Sequence, residues 1–294
     1  MSEKIRLDVL LAQRDLAPSR EAARRLIMAG EVRVDGEIRD KPGMKVSDDA
    51  EIEVQQAPRF VSRGGEKLLG AFEAFAAAGL SVEEAICADV GASTGGFTDC
   101  LLQHGAAKVY AIDVGYGQLD YRLRSDERVV VMERTNARHL ASLPEPVAWI
   151  VADTSFISLR YLLPVFRGWF SDNEAGQLVV LIKPQFEAGK AHVGKGGVVR
   201  DPDTHYRVLV EVLTAAVRER YTVRGLAPSP LKGPSGNVEF LAWLAVGEAE
   251  ALALNDLILP VMAAIHPDWS PVDPQEFPHK PDSPAPLRGE GAGG

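Results

Sequence analysis

Apolar and polar positions change their spacing three times along the chain. Near the start, Leu7, Leu10 and Leu11 recur at helical spacing. Ser19 stands where it can cap a second helix, SREAARRLIMAG, that ends at Gly30. VRVDGEIR then brackets an Asp35-Gly36 pair, the mark of a hairpin, and EIEV supplies another short strand. From Ile86 to about Val246 the pattern is different. ICADV, KVYAIDV, RVVVM, VAWIVAD, QLVVLIK, YTVRGLA and VEFLAWLAV are short apolar runs separated by helical stretches. Such alternation predicts an α/β sandwich with helices packed on a mostly parallel sheet. Residues 59–85 form a basic, glycine-containing connector and a leading helix. Past about residue 266 the chain turns rich in proline and glycine, and disorder is expected. The expected organisation is a small α+β module over 1–58, the connector and leading helix over 59–85, the α/β domain over 86–265 and a tail over 266–294.

Composition narrows the function classes. The 294 residues are 46% hydrophobic, enough for one large domain and a small one. A net charge of −9 confines any nucleic-acid surface to a local basic patch. Cys87 and Cys100 lie in apolar or helical context without metal-ligand spacing, so they read as reduced core thiols, and no metal is expected. The first residues are charged, and no apolar run approaches the ~20 residues of a membrane span. A cytoplasmic protein without membrane contact is the expectation.

ICADVGASTGGFTDCLL joins a strand to a helix through a glycine turn. Gly91, Gly95 and Gly96 let the backbone approach a ligand closely, just before a helix N-terminus. A plain tight turn has the same look, but the spacing departs from the dinucleotide pattern G-x-G-x-x-G. Asp113 ends the next strand roughly twenty residues on, where a carboxylate accepts from ribose hydroxyls. Asp89 ends the first strand and is expected to orient the amino-acid portion of a ligand through loop contacts. A carboxylate-lined site with few phosphate-binding features suits S-adenosyl-L-methionine better than a nicotinamide cofactor.

VVLIKPQFEAG poses a separate problem: a buried strand delivers an ammonium group, Lys183, at its very end. An unpaired buried charge costs several kcal/mol, so the lysine either escapes into water or belongs to a site. Asp153 after WIVAD and Glu239 within NVEFLAWLA fall at or near similar strand edges, and Lys67 lies upstream in SRGGEKLLG. Each has an ordinary reading as a turn cap, a solvated face or a surface lysine. Together they suit the methylation of a ribose 2′-hydroxyl, a very weak acid that needs a base beside the incoming methyl. Lys183 is the candidate base and Lys67 a helper cation, with Asp153 and Glu239 as orienting carboxylates.

These residues carry a resemblance. Residues 86–246 resemble the FtsJ-like ribose 2′-O-methyltransferases, whose Lys–Asp–Lys–Glu tetrad matches Lys67, Asp153, Lys183 and Glu239 in chain order. Residues 5 to about 55 resemble the RNA-binding module of ribosomal protein S-four. With SRGGEKL, DVGASTGGFTDCLL, VADTSFISL, LIKPQFE and GNVEFL, the chain is similar to the TlyA family over nearly its whole length. The resemblance implies a Rossmann-like, SAM-dependent rRNA (cytidine-2′-O)-methyltransferase acting on ribosomal subunits, in a family also labelled haemolysins. It further implies that Gly91, Ser93, Thr94 and Gly95 line the cofactor, with Asp113 on its ribose and Asn136 near the adenine.

For RNA, Arg20 and Arg24 share a helix face at i, i+4 with Arg25 adjacent, and Arg59, Arg63 and Lys67 extend the strip. A solvated helix face explains the first three equally simply. GKAHVGKGGVVRDP (189–202) reads either as a loop closing over substrate or as a plain surface loop. Two other functions stay open: a non-catalytic RNA-binding or assembly protein with a vestigial pocket, and a membrane-lytic protein. For the latter, ALALNDLILPVMAAIH is short and interrupted by Pro260, so core packing accounts for it better.

Overall fold

The leucine repeat closes a core of its own. A computed structural model describes residues 4–54, 58–171, 176–247 and 253–271. Strand β1 (Lys4–Arg6) leads into helix α1 (Leu7–Gln13), which buries Leu7, Leu10 and Leu11. Ser19 caps α2 (Arg20–Met28) by accepting from Ala22 N at 3.1 Å. β2 (Val32–Val34) and β3 (Glu37–Ile38) form the hairpin, with Asp35 and Gly36 at φ +53° and +80°. That left-handed pair is what a two-residue hairpin turn requires. β4 (Lys45–Ser47) pairs with β1, and β5 (Ile52–Val54) pairs with β2. Ile27, Val32, Val34 and Val46 join the leucines in this core. Asp8 is fully buried beneath two arginines, Arg6 at 2.9 Å and Arg20 at 3.1 Å. Hydrogen bonding from Arg6 leads in pushing its carboxyl down to about 2.

The α/β domain opens with α3 (Gly64–Phe75), β6 (Ile86–Val90), α4 (Gly96–Gln103), β7 (Lys108–Ile112), α5 (Tyr121–Arg124) and β8 (Val129–Met132). β9 (Trp149–Ala152), α6 (Leu163–Arg167), β10 (Gln177–Ile182), α7 (Pro184–Glu187) and α8 (Pro202–Arg218) follow. β11 (Tyr221–Pro228), β12 (Phe240–Val246) and α9 (Leu254–Ile265) complete it. The seven apolar runs are the seven strands of one sheet, in the order β11-β12-β10-β9-β6-β7-β8. β10, β9, β6, β7 and β8 are parallel, and β12 runs antiparallel to both its neighbours.

Each face of the sheet is covered. On one side Leu68, Phe72 and Phe75 of α3 and Phe97 and Leu101 of α4 pack with Val109, Val151 and Trp243. On the other, α6, α8 and α9 bury Phe166, Leu209 and Met262 against Ile150, Val180 and Leu244. The leading helix of the connector is thus part of the sandwich. α9 runs through Pro260 without stopping there and buries Ile258, Val261 and Met262. Beyond it, Trp269 Nε1 donates to Asp203 at 2.7 Å, so residues 266–271 still touch the body, while the remaining tail lies outside the described residues. No helix among the described residues is long and apolar enough to cross a membrane.

Candidate active site

β6 and β9 lie side by side, and the chain leaves them toward opposite halves of the sheet. Loops diverging from such a switch point open a crevice at the carboxyl ends of the strands. Here the loop after β6 crosses tightly against the loop after β9. Gly91 has φ +84°, and a Cβ there would lie 2.5 Å from the carbonyl oxygen of Asp153, so only glycine fits. Two cavities, of about 430 and about 400 Å³, open on either side of this crossing and share Gly91, Ser93 and Asp153 in their walls.

The tetrad residues arrive from four elements. β10 stops at Ile182, just before Lys183, because Pro184 takes the first position of α7 and removes a ladder donor. Glu239 reaches the same edge by a different route from the one a parallel sheet suggests. β12 is antiparallel, so its beginning lies at the crevice, and Ile182 pairs with Phe240 in register. Lys67, on α3, donates to Glu239 Oε2 at 2.6 Å, and the carboxylate is wholly buried. A Cβ on Gly233 would meet Glu239 Oε1 at 2.6 Å, so the β11–β12 loop closes directly over that oxygen. Lys183 Nζ lies 2.5 Å from Asp153 Oδ1, off the line of a hydrogen bond, and donates instead to Ser155 Oγ at 3.1 Å.

The two lysines face the cavities differently. Lys67 lines the 430 Å³ lobe, whereas Lys183 stands behind Asp153 and Ser155, which do the lining. Glu187 of α7 fixes that loop. It accepts from Ser158 Oγ at 2.6 Å and from Leu159 N at 2.8 Å, and burial pushes its carboxyl up.

The 400 Å³ lobe holds Asp113 and Asn136 as well as the shared residues. Asp113 accepts from Ser93 N at 2.8 Å and Gly115 N at 2.6 Å, one donor on each oxygen, which leaves lone pairs for ribose hydroxyls. Asn136 Oδ1 accepts from Arg138 N at 3.0 Å and so caps a short turn, with its amide nitrogen still available. Thr94 lines the 430 Å³ lobe. Gly95 is at φ +98° with its Cβ position filled by Leu123, so it shapes the turn from below and lines neither cavity. Asp89 is likewise beneath the loop. Thr98 Oγ1 donates to its Oδ2 at 2.7 Å, its Oδ1 has no partner, and burial pushes its carboxyl up to about 7. Any orienting role it has passes through the loop backbone, because its side chain reaches neither lobe.

The arginines divide. Arg24, Arg25, Arg59 and Arg63 are exposed, and Arg63 lines the 430 Å³ lobe. Arg20 is spent partly on Asp8, a structural contact that the sequence pattern does not reveal. The 189–202 segment is held at its second half, where Val199 N donates to Asn237 Oδ1 at 2.9 Å. The sequence reading leaves out Lys232 and Phe156 and gives Ser155 only as a turn partner of Asp153. Phe156 is 90% exposed at φ +64°, against Phe186 at 5.0 Å, at the lip of the 400 Å³ lobe. An exposed aromatic in a left-handed conformation is a strained arrangement that only three-dimensional context exposes.

Comparisons with known proteins agree with this geometry. Residues 60–246 match the profile of the FtsJ-like methyltransferases, and residues 5–52 match the S4 domain. A Mycobacterium tuberculosis protein named 16S/23S rRNA (cytidine-2′-O)-methyltransferase TlyA is 48% identical over 263 residues, covering 87% of this chain and 96% of its own. Hemolysin A of Brachyspira hyodysenteriae is 43% identical, covering 81% of this chain and 98% of its own. A solved structure from Streptococcus thermophilus that also bears a hemolysin name superposes with a TM-score of 0.67 at 42% identity. That match covers 91% of this chain and 97% of the other.

Proposed function

The chain belongs to the TlyA family of FtsJ-like methyltransferases carrying an S4 domain, and on that premise we propose that it methylates the ribose 2′-hydroxyl of cytidine in ribosomal RNA. S-adenosyl-L-methionine supplies the methyl electrophile. The observation that carries the reading is the crevice itself: two lobes meeting at Gly91, Ser93 and Asp153, with Lys183 paired to Asp153 behind the junction and Lys67, paired to Glu239, in the wall of one lobe. Asp113 and Asn136 suit the adenosine half of the cofactor, the first accepting from ribose hydroxyls and the second donating its amide to the base. Ser93 and Thr94 line the path between the lobes. Asp89 and Gly95 hold the loop in shape from below.

Lys183 takes the proton from the 2′-hydroxyl. Its flexible stem lets the amine move past Ser155 into the junction, while Asp153 aligns it. Glu239 fixes Lys67. Most of the rate comes from holding the hydroxyl and the methyl donor in line inside a dry cleft. Arg24, Arg25 and Arg59 provide phosphate contacts that bring ribosomal subunits to the crevice, in the cytoplasm where those subunits reside.

The test is direct. The purified chain is incubated with labelled S-adenosyl-L-methionine and with small or large ribosomal subunits from a strain lacking the modification. Label recovered as 2′-O-methylcytidine supports the proposal. Cofactor binding without transfer to either subunit overturns the substrate assignment, and absence of cofactor binding leaves an RNA-binding protein with a vestigial pocket.

A further inference from the structure

The 430 Å³ lobe has two basic residues at its wall that the tetrad does not use, Arg63 and Lys232. We propose that Lys232 and Arg63 form a clamp for the phosphodiester on the 3′ side of the target ribose. The proposal rests on the ribose-methylation reading and names what that cleft must hold besides the hydroxyl.

Charge accounting comes first. Lys67 is matched by Glu239 and Lys183 by Asp153, so the tetrad contributes no net charge. Arg63 and Lys232 are both exposed and have no carboxylate partner among the described residues. They make this lobe positive on a chain whose net charge is −9. A partly enclosed cavity of one sign focuses its field on an entering ion of the other.

Position comes second. Arg63 stands at the N-cap of α3, one turn before Lys67 on the same helix. Lys232 comes from a second element, the loop between β11 and β12, and its backbone is pinned on both sides. Before it, Pro230 fills the space a Cβ on Gly70 of α3 would need, at 2.6 Å, and Ser229 N donates to Glu239 O at 2.8 Å. After it, Gly233 N donates to Asn237 O at 2.9 Å while Gly233 presses on Glu239 Oε1. Lys232 is thus one residue from the glycine that closes over Glu239. A flexible charged side chain on so fixed a base has a defined reach into the lobe.

Chemistry supplies the ligand. In RNA the 2′-oxygen and the 3′-phosphodiester sit on neighbouring carbons of one ring. A ribose presented to Asp153 and Lys183 therefore brings its 3′-phosphate into this lobe, where two unpaired cations line the wall. Ammonium and guanidinium groups make charge-assisted bonds with phosphate oxygens. The clamp makes an internal nucleotide the substrate and rejects a free nucleoside.

The experiment uses the full chain with ribosomal subunits from a strain lacking the modification, comparing wild type, Lys232→Met and Lys232→Arg. For Lys232→Met the KM for subunits rises about tenfold, the order expected for one charged hydrogen bond. Its kcat and its affinity for S-adenosyl-L-methionine stay unchanged. The plot of log(kcat/KM) against log salt flattens by about 0.7–0.9, the slope carried by one phosphate contact. Lys232→Arg restores both. Unchanged KM and salt slope in Lys232→Met, with wild-type transfer intact, overturns the clamp alone. Weakened cofactor binding in that variant also overturns it, assigning the lysine to the cofactor's carboxylate. No transfer by the wild-type chain to either subunit overturns the clamp together with the reading beneath it.

Discussion

The two sides of the crevice carry the same pair of charges turned in opposite directions. On the α3 and β12 side, Lys67 faces the lobe and Glu239 is sealed behind it. On the β9 and β10 side, Asp153 faces both lobes and Lys183 is held behind it. The distances are nearly equal, 2.6 and 2.5 Å, so separation does not distinguish them. Enclosure does. Glu239 is 0% exposed and Asp153 is 20% exposed. A sealed pair must stay paired, because parting it strands a charge in low dielectric. A pair open to a cavity can trade its partner for a substrate. The first arrangement binds a helix to a late strand, and the second leaves a lysine free to act.

Substitutions can break this contrast. The largest effect is expected at Lys183. Lys183→Ala should lower methyl transfer by about 10²–10⁴, the range for loss of a positioned base, with cofactor affinity and thermal midpoint retained. Initial rates with labelled cofactor and a melting curve check both halves, and near-wild-type rates would remove Lys183 from proton transfer. On the sealed side stability should respond instead. Lys67→Ala leaves the sealed Glu239 carboxylate without a partner, for about 3 kcal/mol. Lys183→Ala leaves Asp153 beside an open cavity, for about 1 kcal/mol or less. Urea denaturation of the two variants measures the difference, and equal losses would erase the distinction drawn here.

Asp89 sharpens the comparison as a third buried carboxylate, one with no cation at all. Burial raises it to about 7 in the folded chain, from an ordinary value near 3.8. Below about pH 4 both folded and unfolded chains hold the proton and nothing is lost. Between pH 4 and 7 the unfolded chain releases it first, so this contribution to stability falls as pH rises, by at most ~1.4 kcal/mol per unit. Asp89→Asn should therefore gain on the wild type steadily from pH 4.5 to 7 in thermal melts. A constant difference across that range would mean the carboxyl is already ionised in the folded state. Asp8 shows the opposite outcome of equal burial, since two guanidinium groups hold it low. Enclosure alone raises a carboxyl, and paired guanidinium groups reverse the direction.

Much of this was legible in the sequence because it is local. Runs such as ICADV and QLVVLIK announce strands by their own apolar content, and Asp35-Gly36 announces its turn. The glycine loop and the end of β10 just before Lys183-Pro184 are likewise written where they act. β1 and β4 are three residues each, too short to show alternation. The insertion of β12 between β10 and β11 is a pairing choice made across the sheet, so the reason Glu239 reaches the crevice is absent from its neighbours. Lys232 reads as a surface lysine until Pro230 is seen on Gly70 and Gly233 on Glu239. Gly95, placed by pattern on the cofactor, turns out to be shaped by Leu123 beneath it.

That inserted strand also sets a clock. Lys67 and Glu239 are 172 positions apart, and among the described residues β12 is the last strand in chain order although it lies inside the sheet. Domains form as units from the N-terminus as the chain emerges during translation. The N-terminal module has its own core and can close early. β6 to β10 follow, yet Lys67 waits without an acid until the final segment of the domain slots in. Nascent or truncated chains ending before residue 239 therefore carry the glycine loop and Lys183 but no completed cleft. Competence arrives in a single late step, when β12 docks between β10 and β11.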